Sequence, residues 1–158
     1  MASVLVQIAD AIITELQAGT FTRDINPIRS YAEWSMELED ADTLHVDVVP
    51  VTMATELGDR NSLQYLCEVD VGIRQRFSQA GTDERDGRIL NTAIDPLVEL
   101  AEQIGELLSD PAERRLTDYT TATWEATNVL APYYRDHLRE MRQFTSVVRL
   151  TYRAFVDL

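Results

Sequence analysis

Between Tyr65 and Phe77 the chain alternates with a period of two: Tyr65, Cys67, Val69, Val71, Ile73 and Phe77 fall on one side, and Glu68, Asp70, Arg74 and Arg76 on the other. A 3.6-residue helix would scatter those apolar side chains around its axis, so the run reads as a strand with one buried face. A strand of this kind needs neighbours of matching alternation and an apolar cover.

Candidate neighbours lie on both sides of it. After the turn-prone Asp24–Pro27, Ala32, Trp34, Met36 and Leu38 alternate with Glu33, Ser35, Glu37 and Glu39, which predicts a half-buried strand. An acidic break, Glu39–Asp42, leads into Leu44, Val46 and Val48 alternating with His45 and Asp47. Pro50 is expected to stop that ladder because it has no amide hydrogen, and the two strands are expected to pair. Val51–Ser62, which holds Gly58, Asp59, Arg60 and Asn61, reads as an extended loop. Towards the end, Thr120–Leu130 around Trp124 forms a strand-like run closed by Pro132. A last long strand carries Phe144, Val148, Leu150, Tyr152 and Val156 opposite Arg149 and Arg153.

Helical spacing supplies the cover. Leu5, Ile8, Ile12 and Leu16 recur at three and four residues, between Ser3 as cap and Gly19 as stop. Leu90, Ile94, Leu97, Ala101, Ile104 and Leu108 repeat the pattern before a break at Asp110–Pro111, and Asp95–Pro96 in its middle predicts a kink or a fresh start. The expectation is one α+β domain over residues 1–158. It has a mainly antiparallel sheet of about five strands packed against two helices, in the order α-β-β-β-α-β-β. The face bearing Glu33, Glu37, Asp70, Arg74, Arg149 and Arg153 is expected to be left to water or to neighbouring subunits.

Charge narrows the function classes. The formal net charge is −13, from 27 acids and 14 bases, and every base is arginine. A general basic field for nucleic acid is absent. The imbalance is uneven: residues 1–110 sum to −14, and those from Pro111 onward to +1. This suggests complementary surfaces that dock one copy on the next, although the arginines could equally just solvate a short helix or loop. The arginine- and tyrosine-bearing run Tyr133, Tyr134, Arg135, Arg139 and Arg142, together with Arg149 and Arg153, is the candidate subunit interface. Glu56, Asp59 and Arg60 form a candidate partner-contact loop. The opening Met1–Glu15 does not read as a secretory signal, no apolar run approaches a membrane span, and the single Cys67 fits a reducing setting.

Catalytic chemistry finds no foothold. His45 and His137 have no ligand spacing, and Cys67 alternates with apolar neighbours as a buried thiol does. No glycine-rich phosphate loop occurs, and Asp40, Asp42 and Asp47 lack the rest of a calcium loop. No catalytic residue, metal ligand or cofactor-binding residue is assigned, and the chain reads as a non-enzyme.

Four phrases carry a family resemblance: Ile8–Ile12, Asp42–Pro50, Val69–Ile73 and Leu138–Arg153. In these, and in the order of its elements, the chain resembles the tail terminator, or tail-completion, proteins of long-tailed bacteriophages. The resemblance implies a small protomer that forms a ring, commonly a hexamer, on the head-proximal end of the tail tube. Such a ring ends tube growth and joins the tail to the head. The implied partners are further copies, the tail-tube protein and a head-closure or connector protein, with DNA only passing through the lumen and no membrane. The implied location is the virion, after assembly in the host cytoplasm. Another neck component, a small-molecule enzyme using scattered carboxylates, or an acidic mimic of DNA are the competing readings.

Overall fold

The computed structural model describes residues 3–78, 89–109 and 115–157. The break read at Asp110–Pro111 lies outside the described residues. In chain order the elements are α1 (Val4–Ala18), β1 (Pro27–Arg29), β2 (His45–Asp59), β3 (Ser62–Arg76), α2 (Asn91–Leu108), β4 (Arg115–Leu116), β5 (Tyr119–Ala131), a π-helical turn (His137–Met141) and β6 (Gln143–Asp157). The strands form one mixed sheet in the order β1-β2-β3-β6-β5-β4. β1 joins β2 in parallel, and the other pairs are antiparallel. The molecule is a single α+β domain with six strands among the described residues, one more than the alternation predicts.

The strand read first sits at the centre. β3 is flanked by β2 and β6, with Val71 level with Val48 and Val148. Its odd-numbered residues Cys67, Val69, Val71 and Ile73 are fully buried beneath Ile8, Ile12 and Leu16 of α1 and Leu97, Leu100 and Ile104 of α2. Ser3 is the N-cap of α1, though its hydroxyl makes no capping bond, and Gly19 ends the helix by donating to the Glu15 and Leu16 carbonyls. A Cβ at Gly19 would meet Leu107 and Phe21 at 2.8 Å, so this glycine lets the end of α1 approach α2 closely. α2 begins at Asn91 and runs through Pro96 as one element, with no fresh start at Asp95.

Three expectations are overturned. Residues 31–39 form no strand; they cross the sheet as a strap, and β1 takes their expected place at the edge. The reason is steric and polar. The Trp34 ring lies over Gly72, where any Cβ would overlap it, and its Nε1 donates to Asp70 at 3.4 Å. Leu38 N donates to Gln143 Oε1 at 2.8 Å, and the Arg76 guanidinium donates to the Leu38 carbonyl at 2.8 Å.

Pro50 does not stop β2. Beyond Val48 the strand has no outer neighbour among the described residues, and a register shift between Pro50 and Thr52 absorbs the missing amide. Val51–Ser62 is therefore no loop: it is the outer half of β2, a turn at Arg60–Asn61, and the start of β3. Asn61 N donates to Asp59 Oδ1 at 2.8 Å and closes that turn.

Candidate assembly surface

The charged sheet face does not lie open to water. Asp47, Asp70 and Arg74 are buried beneath the strap. Arg74 Nη2 donates to Asp47 Oδ2 at 2.8 Å, and its guanidinium stacks 5.4 Å from the centre of the Trp34 ring. Arg149 donates to both Asp70 oxygens, at 2.8 and 3.1 Å, with Glu68 at 3.7 Å. The Asp70 hydrogen bond holds the Arg149 proton more tightly than usual. Arg153 reaches Glu125 at 2.5 Å. Arg149 and Arg153 thus belong to bridges within the chain, and Asp70 and Arg74 hold the strap through Trp34.

The other candidate residues separate in space. Tyr133, Arg135 and Arg139 are exposed around the π-helical turn, where Arg139 faces Asp136 and Glu140. Tyr134 stacks on His137, with ring centres 4.9 Å apart, and its amide donates to the Thr145 carbonyl. Arg142 adopts left-handed backbone (φ 54°) and donates to the Ser78 carbonyl at 2.9 Å. Glu56, Asp59 and Arg60 sit together at the tip of the β2–β3 hairpin, far along the sheet from the π-helical turn. Burial raises the Cys67 thiol to about 11, which keeps it protonated and inert.

Two features were missed by sequence reasoning. The first is the outer half of β2: Val51–Asp59 is exposed on both faces, with Met53 45% and Leu57 76% accessible, and Phe155 of β6 lies beside it at 50%. Eleven residues from Val49 to Asp59 span about 35 Å of strand edge that is free among the described residues. The second is an apolar groove of about 160 Å³ between α2 and β5, lined by Val98, Ala101, Glu102, Val129 and Pro132. It lies along the part of β5 that β4 leaves uncovered among the described residues, since β4 pairs only with Tyr119 and Thr123.

A signal for the first feature exists in the sequence. Val46 and Val48 sit at even positions, while Met53, Thr55 and Leu57 sit at odd ones. The extra residue at the bulge flips the parity, and a strict two-residue period breaks at that point.

Among the described residues no cluster of three or more His, Cys, Asp or Glu side chains is placed to hold a metal ion, and no helix is long and apolar enough to cross a membrane. The chain matches no protein-family model, and no curated protein matches it in sequence.

Proposed function

We propose that the chain is a tail terminator of a long-tailed bacteriophage: a structural protein that closes into a ring, hexameric by expectation, on the head-proximal end of the tail tube. It ends tube polymerisation and offers the surface on which the head is joined. The observation that carries this reading is the outer half of β2, nine consecutive residues exposed on both faces along a strand edge that is open among the described residues. Sheets that serve as monomers blunt or cover such edges, because an open edge templates pairing with another chain. A protomer built to assemble keeps one.

Charge supports the same reading. With Arg149, Arg153 and Arg74 committed to carboxylates inside the chain, most of the excess acid is left facing outward. A ring wall of this sign repels DNA passing through it and limits sticking. The protein works by shape and interface complementarity, with no catalytic residue and no cofactor. Its partners are its own copies, the tail-tube protein and a head-closure or connector protein, in the host cytoplasm during assembly and in the virion afterwards.

The test adds purified protein to tube protein under polymerising conditions and to finished tubes, followed by negative-stain imaging. Rings seated on one tube end and shortened, capped tubes are expected. Tubes that grow to the same length distribution with bare ends would sink the reading.

A further inference from the structure

The outer half of β2 carries exposed apolar side chains on an edge with no outer neighbour among the described residues, and we propose that in the free protein a second copy of this chain covers it. β2 of each copy pairs antiparallel with β2 of the other about a two-fold axis through Thr55, so that Met53 of one copy lies opposite Leu57 of the other. A two-fold pair closes at two copies. It therefore hides the edge on which the ring reading rests, and it is a resting state that opens before a ring forms.

The edge is accessible at this place. The described chain breaks off at Ser78 and at Ser109. Ser78 lies beyond the far end of β3, about 36 Å or more along that strand from Tyr65, the partner of Thr55. The ten residues from there to Ile89 span at most about 40 Å, less than the path out to Thr55 and back to Ile89 against the core. Ser109 meets Thr127 and the chain resumes with Arg115 paired to Thr123, both on β5, with β3 and β6 standing between that strand and β2.

The edge is self-complementary in one register. Thr52–Leu57 is the regular stretch between two register shifts, and an axis through a residue keeps the side chains of both copies on matching faces. An axis through Met53 or Ala54 drives the Arg60–Asn61 turn of one copy into the place β1 holds beside Val48 of the other. An axis through Glu56 sets two glutamates directly opposite, which is destabilising. At either end of the stretch, Thr52 or Leu57, most pairs fall beyond a register shift. The axis through Thr55 avoids all of these: Glu56 faces Ala54, threonine faces threonine, and the turn stops short of β1.

The side chains fit the same register. Met53, Thr55 and Leu57 share the helix-side face of the sheet, because they pair with Cys67, Tyr65 and Leu63, and Cys67 is part of the core. In the pair each Met53 packs on the other copy's Leu57, and the half-buried Tyr65 and Leu63 extend this apolar row inward. Glu56 lies on the opposite face beside Gln64, whose amide donates to it at 3.4 Å. Two chains of net charge −13 repel each other, and Val51–Thr55, which carries no charge, is where such copies approach at least cost.

The test is disulfide trapping of Thr55→Cys in protein that keeps its buried Cys67. Across the axis the two Thr55 Cα atoms stand about 5 Å apart, within reach of a disulfide. Thr52→Cys, equally exposed on the same edge, is the control, because its two copies lie about 20 Å apart in this register. A band of twice the monomer mass on non-reducing gels is expected from Thr55→Cys, lost with reductant and absent from Thr52→Cys. Light scattering of the parent should give the mass of two copies, and Leu57→Asp the mass of one with an unchanged circular dichroism spectrum.

A parent that is monomeric at every soluble concentration, or larger than two copies in free solution, overturns the pair. So does Thr52→Cys linking as fast as Thr55→Cys. The oxidised Thr55→Cys dimer should leave tube ends bare until reductant is added; capping by the locked dimer overturns the resting state. Reduced protein is assayed for capping in parallel. Capping without a trapped dimer removes this interface alone, and a trapped dimer without capping removes the tail reading alone.

Discussion

Asp47 and Arg74 form an ion pair that has almost left water, with side-chain exposures of 4% and 9%. Desolvation at such a site is large, so the pair holds only while both charges remain. The Arg74 Nε is buried without a hydrogen-bond partner, which adds to the cost of the arrangement. Asp47→Ala is expected to lower unfolding free energy by about 3–5 kcal/mol in urea titrations. Replacing both partners with apolar side chains, Asp47→Leu with Arg74→Met, should recover most of that loss.

A second residue-scale prediction concerns His137. Burial holds its ring below the usual 6.5, against the opposing pull of Asp136 and Glu140. The folded protein therefore takes up this proton less readily than the unfolded chain, and stability must fall as pH drops below about 6.5, levelling off below the folded value. The urea midpoint of His137→Gln should be flatter across that window. Asp40, Asp42 and Asp59 are lowered by hydrogen bonds from His45, Ser78 and Asn61 respectively. They act at lower pH, where their contribution is lost as pH falls through their folded values.

At the scale of elements, the strap is the feature that decides the character of the sheet. It has no ladder of its own and is held by contacts to side chains of β3 and β6, chiefly Trp34 over Gly72 and Leu38 on Gln143. Gly72→Ala places a methyl where the indole lies, and overpacking of this kind costs about 1–3 kcal/mol. The expected outcome is a lower urea midpoint together with a red-shifted Trp34 emission, read in a Trp124→Phe background. An unshifted emission would mean that the strap tolerates the methyl. The same contacts explain why alternation misreads residues 31–39: Trp34 and Leu38 do face the sheet, but from above it.

At the scale of the whole molecule, the proposed assembly rests on the outer half of β2, which has no outer neighbour among the described residues. Leu57→Asp places a charge on that edge and is expected to turn the assembled particle into a monomer in native mass spectrometry while leaving the circular dichroism spectrum unchanged. A variant that assembles like the parent would mean that copies meet through another surface.

Local chemistry alone determined much of this protein. The period of two in Tyr65–Phe77, the 3.6 spacing of Leu5–Leu16 and Leu90–Leu108, and the apolar side of Phe144–Val156 identified two of the long strands and the two helices, because burial enforces those periods whatever the chain order; that the two strands lie side by side came only from the structure. The proposed assembly role came from a resemblance and a charge balance. Tertiary structure decided the rest. Whether Ala32–Leu38 joins the sheet or lies over it depends on Gly72, about 38 residues away, leaving room for a ring. Whether Pro50 ends a strand depends on its having no outer neighbour there among the described residues. Met53 and Leu57 gain meaning only when a bulge restores their parity and no helix lies above them. Each of these outcomes rests on contacts between residues distant in sequence, which no local pattern encodes.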